Sequence, residues 1–311
     1  MKVLNQVITD MYSLYHGDCV EVMKSIPSDS IHYSIFSPPF SNLYTYSNSE
    51  RDMGNSKNDG EFYQHFSYVV DELYRVLIPG RVLSFHCMDI PAMKERDGYI
   101  GVKDFPGDLI RIFQKRGFIY HSRVTIWKDP LIEATRTKAI GLMHKQLMKD
   151  SVMCRQGLPD YLITMRKPGT NPERIEHPEG LTSFAGEDEP SEGVYSHQVW
   201  RRYASPVWMD IRQSNTLQKA SARDNNDERH IAPLQLDVIE RALTLWTNPG
   251  DIAFTPYGGI MSEAYQAVKM ERRAVAVELK ESYFNAGVNN MKMAVKDQPQ
   301  TNLFMMEDDA L

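Results

Sequence analysis

Apolar and polar positions along this chain follow two periods, and their order predicts the fold. Ser30-Ile31-His32-Tyr33-Ser34-Ile35-Phe36 alternates with the period of a strand. It runs into Ser37-Pro38-Pro39-Phe40, and two consecutive prolines cannot continue a central strand. Phe62, Phe66, Val69, Leu73 and Val76 then recur at helical spacing, with Asp59 as the expected cap. Pro79-Gly80 makes a turn, and Val82 to His86 reads as a buried strand. Phe105 to Arg116 reads as a helix stopped by Gly117, and Phe118 to Trp127 as another strand. Strand–helix–strand alternation marks an α/β sheet.

The pattern returns near the C-terminus. Pro233 to Trp246 is predicted helical, with Leu236, Ile239, Ala242 and Leu243 on one face. Asn248-Pro249-Gly250-Asp251 turns the chain into a strand at Ile252-Ala253-Phe254. That strand meets Thr255-Pro256-Tyr257-Gly258-Gly259, and a helix starts near Ser262 with Glu263 in its first turn. Ala274 to Glu278 is a strand ending in an acid, and Ser282 to Ala294 a last helix. The middle differs. Ala139, Leu142, Met143, Gln146 and Leu147 suggest one amphipathic helix whose polar positions carry Arg136, Lys138, Lys145 and Lys149. From Arg166-Lys167-Pro168-Gly169 to Gly193, the content of Pro, Gly, Glu and Ser predicts a surface loop.

Composition changes this picture in two places. The net charge of −6 argues against a general polyanion binder, but local counts matter more than the sum. Residues 131–175 hold eight Lys/Arg against four Asp/Glu, and 193–225 hold five against two. The acidic stretch 176–192 between them holds six acids and no base, so basic segments flank an acidic loop. Cys19, Cys87 and Cys154 form no CxxC pair, so no metal site is expected and the thiols fit a reducing cytoplasm. The chain has no apolar run long enough for a membrane span, and Met1 to Tyr15 lacks the plan of a signal peptide.

Three features carry chemistry: Ser37–Phe40, the glycine turn from Phe254 to Ser262, and Glu278. All three follow strands, and in an open α/β sheet ligands sit outside the carboxyl ends of strands. The glycines let a ligand approach the backbone, and the helix start at Ser262 offers free N–H groups. An acid at the end of the next strand can accept both hydroxyls of a ribose. Ser37 and the carbonyl of Pro38 can accept two hydrogen bonds from an exocyclic NH2, and the phenyl ring of Phe40 can stack on a base. That pairing suits an extruded nucleobase.

With these motifs in this order, the chain resembles the beta-group DNA amino-methyltransferases. In that group an (S/N/D)PP(Y/F) motif comes first, a target-recognition region follows, and the cofactor glycine loop comes last. Tyr15-His16-Gly17-Asp18-Cys19 looks like the family's "GD" segment. Arg229-His230-Ile231-Ala232-Pro233-Leu234, with Ile239 and Arg241, looks like its helix before the glycine loop. Leu43-Tyr44-Thr45-Tyr46 and Arg51-Asp52-Met53-Gly54-Asn55 look like phage-encoded members.

The resemblance implies an α/β Rossmann-like methyltransferase fold with a mostly parallel seven-stranded sheet. Residues 1–130 and 226–297 would form the catalytic domain, 131–225 a target-recognition region and 298–311 a flexible tail. S-adenosylmethionine would be bound by Asp18, Phe36, Thr255, Pro256, Tyr257, Gly259, Ser262 and Glu278. Ser37, Pro38, Pro39 and Phe40 would hold a base flipped from double-stranded DNA, cytosine N4 being favoured over adenine N6 by the serine. Arg136, Lys138, Lys145 and Lys149 would contact DNA. A restriction–modification role, a bacterial or phage-infected cytoplasm, and a homodimer among the allowed assemblies complete the expectation. Gln300-Thr301-Asn302-Leu303-Phe304 matches the QxxLF pattern of sliding-clamp ligands. Two positions depart from the family's Asp-Pro-Phe-x-Gly-x-Gly: Thr255 replaces the acid and Met261 the second glycine. They motivate the alternative of a catalytically weakened DNA-binding relative. Among the histidines, His16, His86, His121 and His144 show no triad-like companions along the sequence.

Overall fold

The computed structural model describes residues 3–40, 52–92, 94–137, 144–153, 155–177, 194–217 and 233–296. Its strands are β1 (Asn5–Ile8), β2 (Tyr12–His16), β3 (Tyr33–Phe36), β4 (Val82–Cys87), β5 (Ile90–Ala92), β6 (Gly101–Lys103), β7 (Ile119–Ile126), β8 (Asp160–Arg166), β9 (Val207–Trp208), β10 (Ile252–Thr255) and β11 (Arg273–Glu278). Its helices are α1 (Cys19–Met23), α2 (Asp59–Val76), α3 (Lys94–Asp97), α4 (Phe105–Lys115), α5 (Pro130–Thr137), α6 (His144–Leu147), α7 (Val194–Tyr203), α8 (Leu236–Trp246), α9 (Ser262–Lys269) and α10 (Glu281–Lys296).

One sheet has the order β1-β2-β11-β10-β3-β4-β8-β7-β9. From β2 to β4 the strands are parallel. β8 is antiparallel to both β4 and β7. β1 closes one edge as a hairpin with β2, and the two residues of β9 extend the other beside β7. Where seven strands were expected, the described residues form a sheet of nine, with short strands β1 and β9 at its edges. β5 and β6 form a separate antiparallel pair.

Side chains alternate across β3, and this splits the core into two layers. Phe36 joins the face covered by α1, α2 and α4, where Val22, Phe62, Phe66, Leu73, Leu109 and Phe113 are buried. Tyr33 and Ile35 join the opposite face, covered by α8, α9 and α10 through Val238, Ala242, Ala267 and Met291. The result is a three-layer α/β/α fold. Helix α2 is capped by Asn58, whose Oδ1 accepts from Glu61 N at 2.9 Å. The expected cap, Asp59, is instead the first helical residue, where an acid suits the helix dipole.

β8 lies within the stretch expected as a target-recognition region, yet it is a full member of the sheet. The expected boundary at 131 therefore falls between neighbouring strands of one sheet. Lys138, Cys154, most of the acidic loop, the clamp-like tail and the phage-like segment at 43–46 lie outside the described residues.

At the amino ends of β4 and β10, Arg81 Nη1 meets Asp251 Oδ2 at 3.0 Å, with side chains 1% and 4% exposed. Removing one partner from such a buried pair strands a charge and costs about 3–5 kcal/mol. Asp251→Ala should lower unfolding free energy by about that amount in urea titration, and Arg81→Met combined with Asp251→Leu should recover most of it.

Candidate active site

β3 and β10 are hydrogen-bonded neighbours, but their onward connections lead to opposite sides: β3 to β4, β10 to β11. The crevice above their carboxyl ends is the switch point at which α/β sheets bind ligands. A cavity of about 200 Å³ opens there. Ser37, Pro38, Pro39 and Phe40 line one side of it. Pro256, Tyr257, Gly259, Ser262 and Glu278 line it too, together with Asp18. Motifs from three separate parts of the chain are thus gathered in one space.

Each wall is held from behind. Phe36 is fully buried and packs its ring against Phe85 and Tyr257, with centroids 6.4 and 5.8 Å apart. Phe40 leans on Phe105 at 6.0 Å. Tyr257 Oη donates to Met53 Sδ at 3.4 Å, and burial holds its phenol well above the ordinary range. Asp18 caps α1 by accepting from Glu21 N at 3.0 Å. Glu278 accepts from Gly259 N and from Lys280 N, both at 2.7 Å, which fixes the glycine turn to the end of β11. From α10, Asn290 Nδ2 donates to Ile260 O at 2.8 Å and fixes the far side of the same turn.

Two expected cofactor residues do not line the cavity. Phe36 supports Tyr257 from the core, because strand alternation turns it toward the layer of α2. Thr255 is 1% exposed as the last residue of β10, and its Oγ1 has no hydrogen-bond partner among the described residues. Of the expected DNA contacts, Lys149 is exposed, and Arg136 and Lys145 lie on α5 and α6.

Met261, which stands where the family has its second glycine, lies away from the cavity. It has φ 69° and ψ 36°, left-handed geometry in which a bulky residue is strained. Its side chain is fully buried in the core layer of α8–α10 and is not part of the cavity lining. The space it needs comes from two glycines. A Cβ on Gly287 of α10 would lie 2.3 Å from Met261 Cγ, and one on Gly258 would lie 2.7 Å from its Sδ.

Sequence reasoning missed several cavity residues: Gly17, Cys19, Asp52, Met53, Glu263, Lys280 and Tyr283. Glu263 had been placed as an ordinary first-turn acid. Burial raises its carboxyl to about 8, with Glu278 adding to the rise, and burial raises Glu278 itself to about 7. The histidine reading is also corrected. Ser37 Oγ and His86 Nδ1 are 3.2 Å apart, and His86 Nε2 is 3.1 Å from Asp160 Oδ2. Asp160 Oδ1 meets Lys128 Nζ at 2.5 Å. Burial works against the Asp160 carboxylate, yet His86 and Lys128 hold its pKa below the ordinary value.

A DNA methylase family model, N6_N4_Mtase, matches residues 31–289. The Type II methyltransferase M.BamHI of Bacillus amyloliquefaciens is 25% identical over 277 residues, which cover 87% of this chain and 55% of that one. The chain thus spans little more than half of that relative. Among solved structures, PvuII DNA methyltransferase (cytosine-N4-specific) superposes with a TM-score of 0.63 at 17% identity, covering 95% of this chain and 94% of that one. TTHA0409 of Thermus thermophilus, complexed with S-adenosyl-L-methionine, gives 0.61 at 20% identity, covering 92% and 97%. At these identities the two structures establish the shared fold.

A carboxyl raised from 4.5 to about 8, as at Glu263, binds its proton more tightly folded than unfolded. Its stabilising contribution is therefore complete below about pH 4.5 and is lost as pH rises toward 8. Ligand-free wild type should lose stability relative to Glu263→Gln between about pH 5 and 8.5, read from urea midpoints. Gly287→Ala should destabilise the fold by about 1–3 kcal/mol despite alanine's better helix propensity, because the methionine is in the way. In a Met261→Gly background that cost should vanish, and a double-mutant cycle measures the difference.

Proposed function

The chain belongs to the DNA methylase family, and from that membership we propose that it methylates the exocyclic amino group of a base in double-stranded DNA, cytosine N4 being favoured. The observation that carries this reading is the meeting of Ser37–Phe40 with the glycine turn in one cavity. The chain order of the motifs, catalytic tetrapeptide first and glycine turn last, is that of the beta group.

The residues present fit S-adenosylmethionine. Tyr257, Ile260, Leu279 and Tyr283 give the cavity an apolar, aromatic wall suited to adenine, and Glu278 at the strand end suits a ribose diol. Asp18, Glu263 and Glu278 line the cavity, and a cationic ligand would favour the ionised form of the two raised carboxyls. That cofactor supplies an electrophilic methyl group on sulfur. The protein's own part is positioning. Ser37 Oγ and the Pro38 carbonyl accept from the amino group, Phe40 holds the ring, and the prolines keep both acceptors fixed. The base reaches this cavity only by leaving the duplex stack.

The basic segments around residues 131–175 and 193–225 form the target-recognition surface in this reading, with Lys149, Arg136, Lys138 and Lys145 on phosphates or guanine edges. The setting is a restriction–modification system or a phage, working in the cytoplasm. The Gln300–Phe304 segment recruits a sliding clamp. The described residues hold no helix long and apolar enough to cross a membrane.

Genomic DNA from cells expressing the wild type should carry N4-methylcytosine at one short motif by modified-base sequencing. Ser37→Ala should lower transfer at that motif about 100-fold, the scale of losing one hydrogen-bonding group at a reacting centre. N6-methyladenine would reassign the base. Unmodified DNA from well-expressed, folded wild type would overturn the proposal.

A further inference from the structure

We propose that His86, held by Asp160 and Lys128, orients the Ser37 hydroxyl so that it can only accept from the target amino group, and then takes up the proton released on methylation. The inference rests on the methyltransferase reading for its second half; the first half stands on the geometry of the ligand-free protein.

His86 Nε2 lies 3.1 Å from Asp160 Oδ2 but out of line for a hydrogen bond. A carboxylate has no proton to give, so we place the imidazole hydrogen on Nε2, where a small rotation of the ring completes the pair. In neutral His86 that leaves Nδ1 with its lone pair, 3.2 Å from Ser37 Oγ. Ser37 therefore donates its own hydrogen backward to His86, and only lone pairs remain toward the cavity that Ser37 lines. A hydroxyl free to rotate would present its hydrogen to the amino group part of the time, and two donors repel. The tautomer is fixed in turn by Lys128, 7% exposed, which meets the other oxygen of Asp160 and lies 3.9 Å from Glu133 Oε2. His86 and Lys128 together hold the Asp160 carboxyl below its ordinary range although that side chain is 4% exposed.

The same chain accounts for a proton. As the nitrogen–methyl bond forms and the methyl–sulfur bond breaks, the donor's positive charge passes to the amino nitrogen, which then holds one proton too many. That proton moves to Ser37 Oγ as the Ser37 hydrogen moves to His86 Nδ1. The charge comes to rest on an imidazolium facing Asp160, and the proton leaves later to water. No other reagent is needed. Among the described residues, the charged and titratable groups next to this contact include Asp160 and Tyr161 of β8, Arg123 of β7 with Lys128 beyond it, Glu133 of α5, and Cys87, Asp89 and Asp104.

His86 is thus a positioning and proton-accepting residue behind Ser37. Nitrogen-15 imidazole spectra of the full-length, ligand-free protein should show His86 as the Nε2–H tautomer. An Nδ1–H tautomer would overturn the proposal without touching the methyltransferase reading. In turnover, His86→Leu and Asp160→Asn should each lower kcat about 100-fold, on the scale of general base catalysis, with KM for DNA and Kd for S-adenosylmethionine changed less than about threefold. His86→Asn places an amide oxygen near the lost acceptor; it should recover about tenfold of kcat by restoring orientation without basicity. Folded variants, verified by melting and by cofactor binding, that keep wild-type kcat while Ser37→Ala does not would also overturn it. Wild type without any transfer would remove the proton-accepting half together with the proposed function, and the tautomer would still decide the first.

Discussion

The site depends on the pairing of two central strands. β10 and β3 share a short parallel ladder in which Ala253 faces Tyr33 and Phe254 faces Ser34. Ser34 Oγ adds a buried hydrogen bond to the Phe254 carbonyl at 2.9 Å. Because the strands end at the same level and connect onward to opposite sides, neither loop can fill the crevice between them. Phe36 and Tyr257 carry the ladder's rigidity one step further, since their rings touch across the gap. A reaction that relies on placing two molecules in line needs this kind of frame, because tenths of an ångström in alignment translate into rate.

The glycine turn shows how the frame absorbs a local cost. Left-handed geometry at Met261 is of order 1–3 kcal/mol unfavourable, and it persists only where the surroundings determine it. Here Gly259 N and Met261 N are both bonded, to Glu278 and to the Gly258 carbonyl, and Ile260 is held from α10. The methionine's fully buried side chain adds packing that a glycine would not. The departure from the family's loop is therefore an exchange of backbone ease for core volume, made on the side away from the cavity. The buried carboxyl of Glu263 and the partly buried one of Glu278 are a second cost, one that a cationic ligand in the cavity would offset.

Much of this was legible in the sequence, for identifiable reasons. β3, β4 and β10 read as short apolar runs bounded by turn residues, and α2 by its helical period. The tetrapeptide and glycine turn combine residues that few backbones need. β8 was missed because its run Asp160–Arg166 mixes Asp160, Thr164 and Arg166 with its apolar residues, and it sits in a stretch read as an insertion. Phe36 and Thr255 were assigned to the cofactor through the resemblance, yet both side chains are buried in the sheet and neither lines the cavity. The contacts of His86 left no local trace. Its serine partner lies 49 residues away, and its carboxylate partner comes from β8, the strand that the sequence did not reveal.

That last link explains what an antiparallel strand does inside a parallel sheet. β4 delivers His86 near its carboxyl end, where the site lies. A parallel neighbour would deliver only its own last residues to that level. β8 runs the other way, pairing Cys87 with Tyr161, so its first residue, Asp160, arrives beside the crevice. The same reversal brings Lys128, just beyond the end of β7, to the same carboxylate. Strand direction thus decides which residues can act in concert.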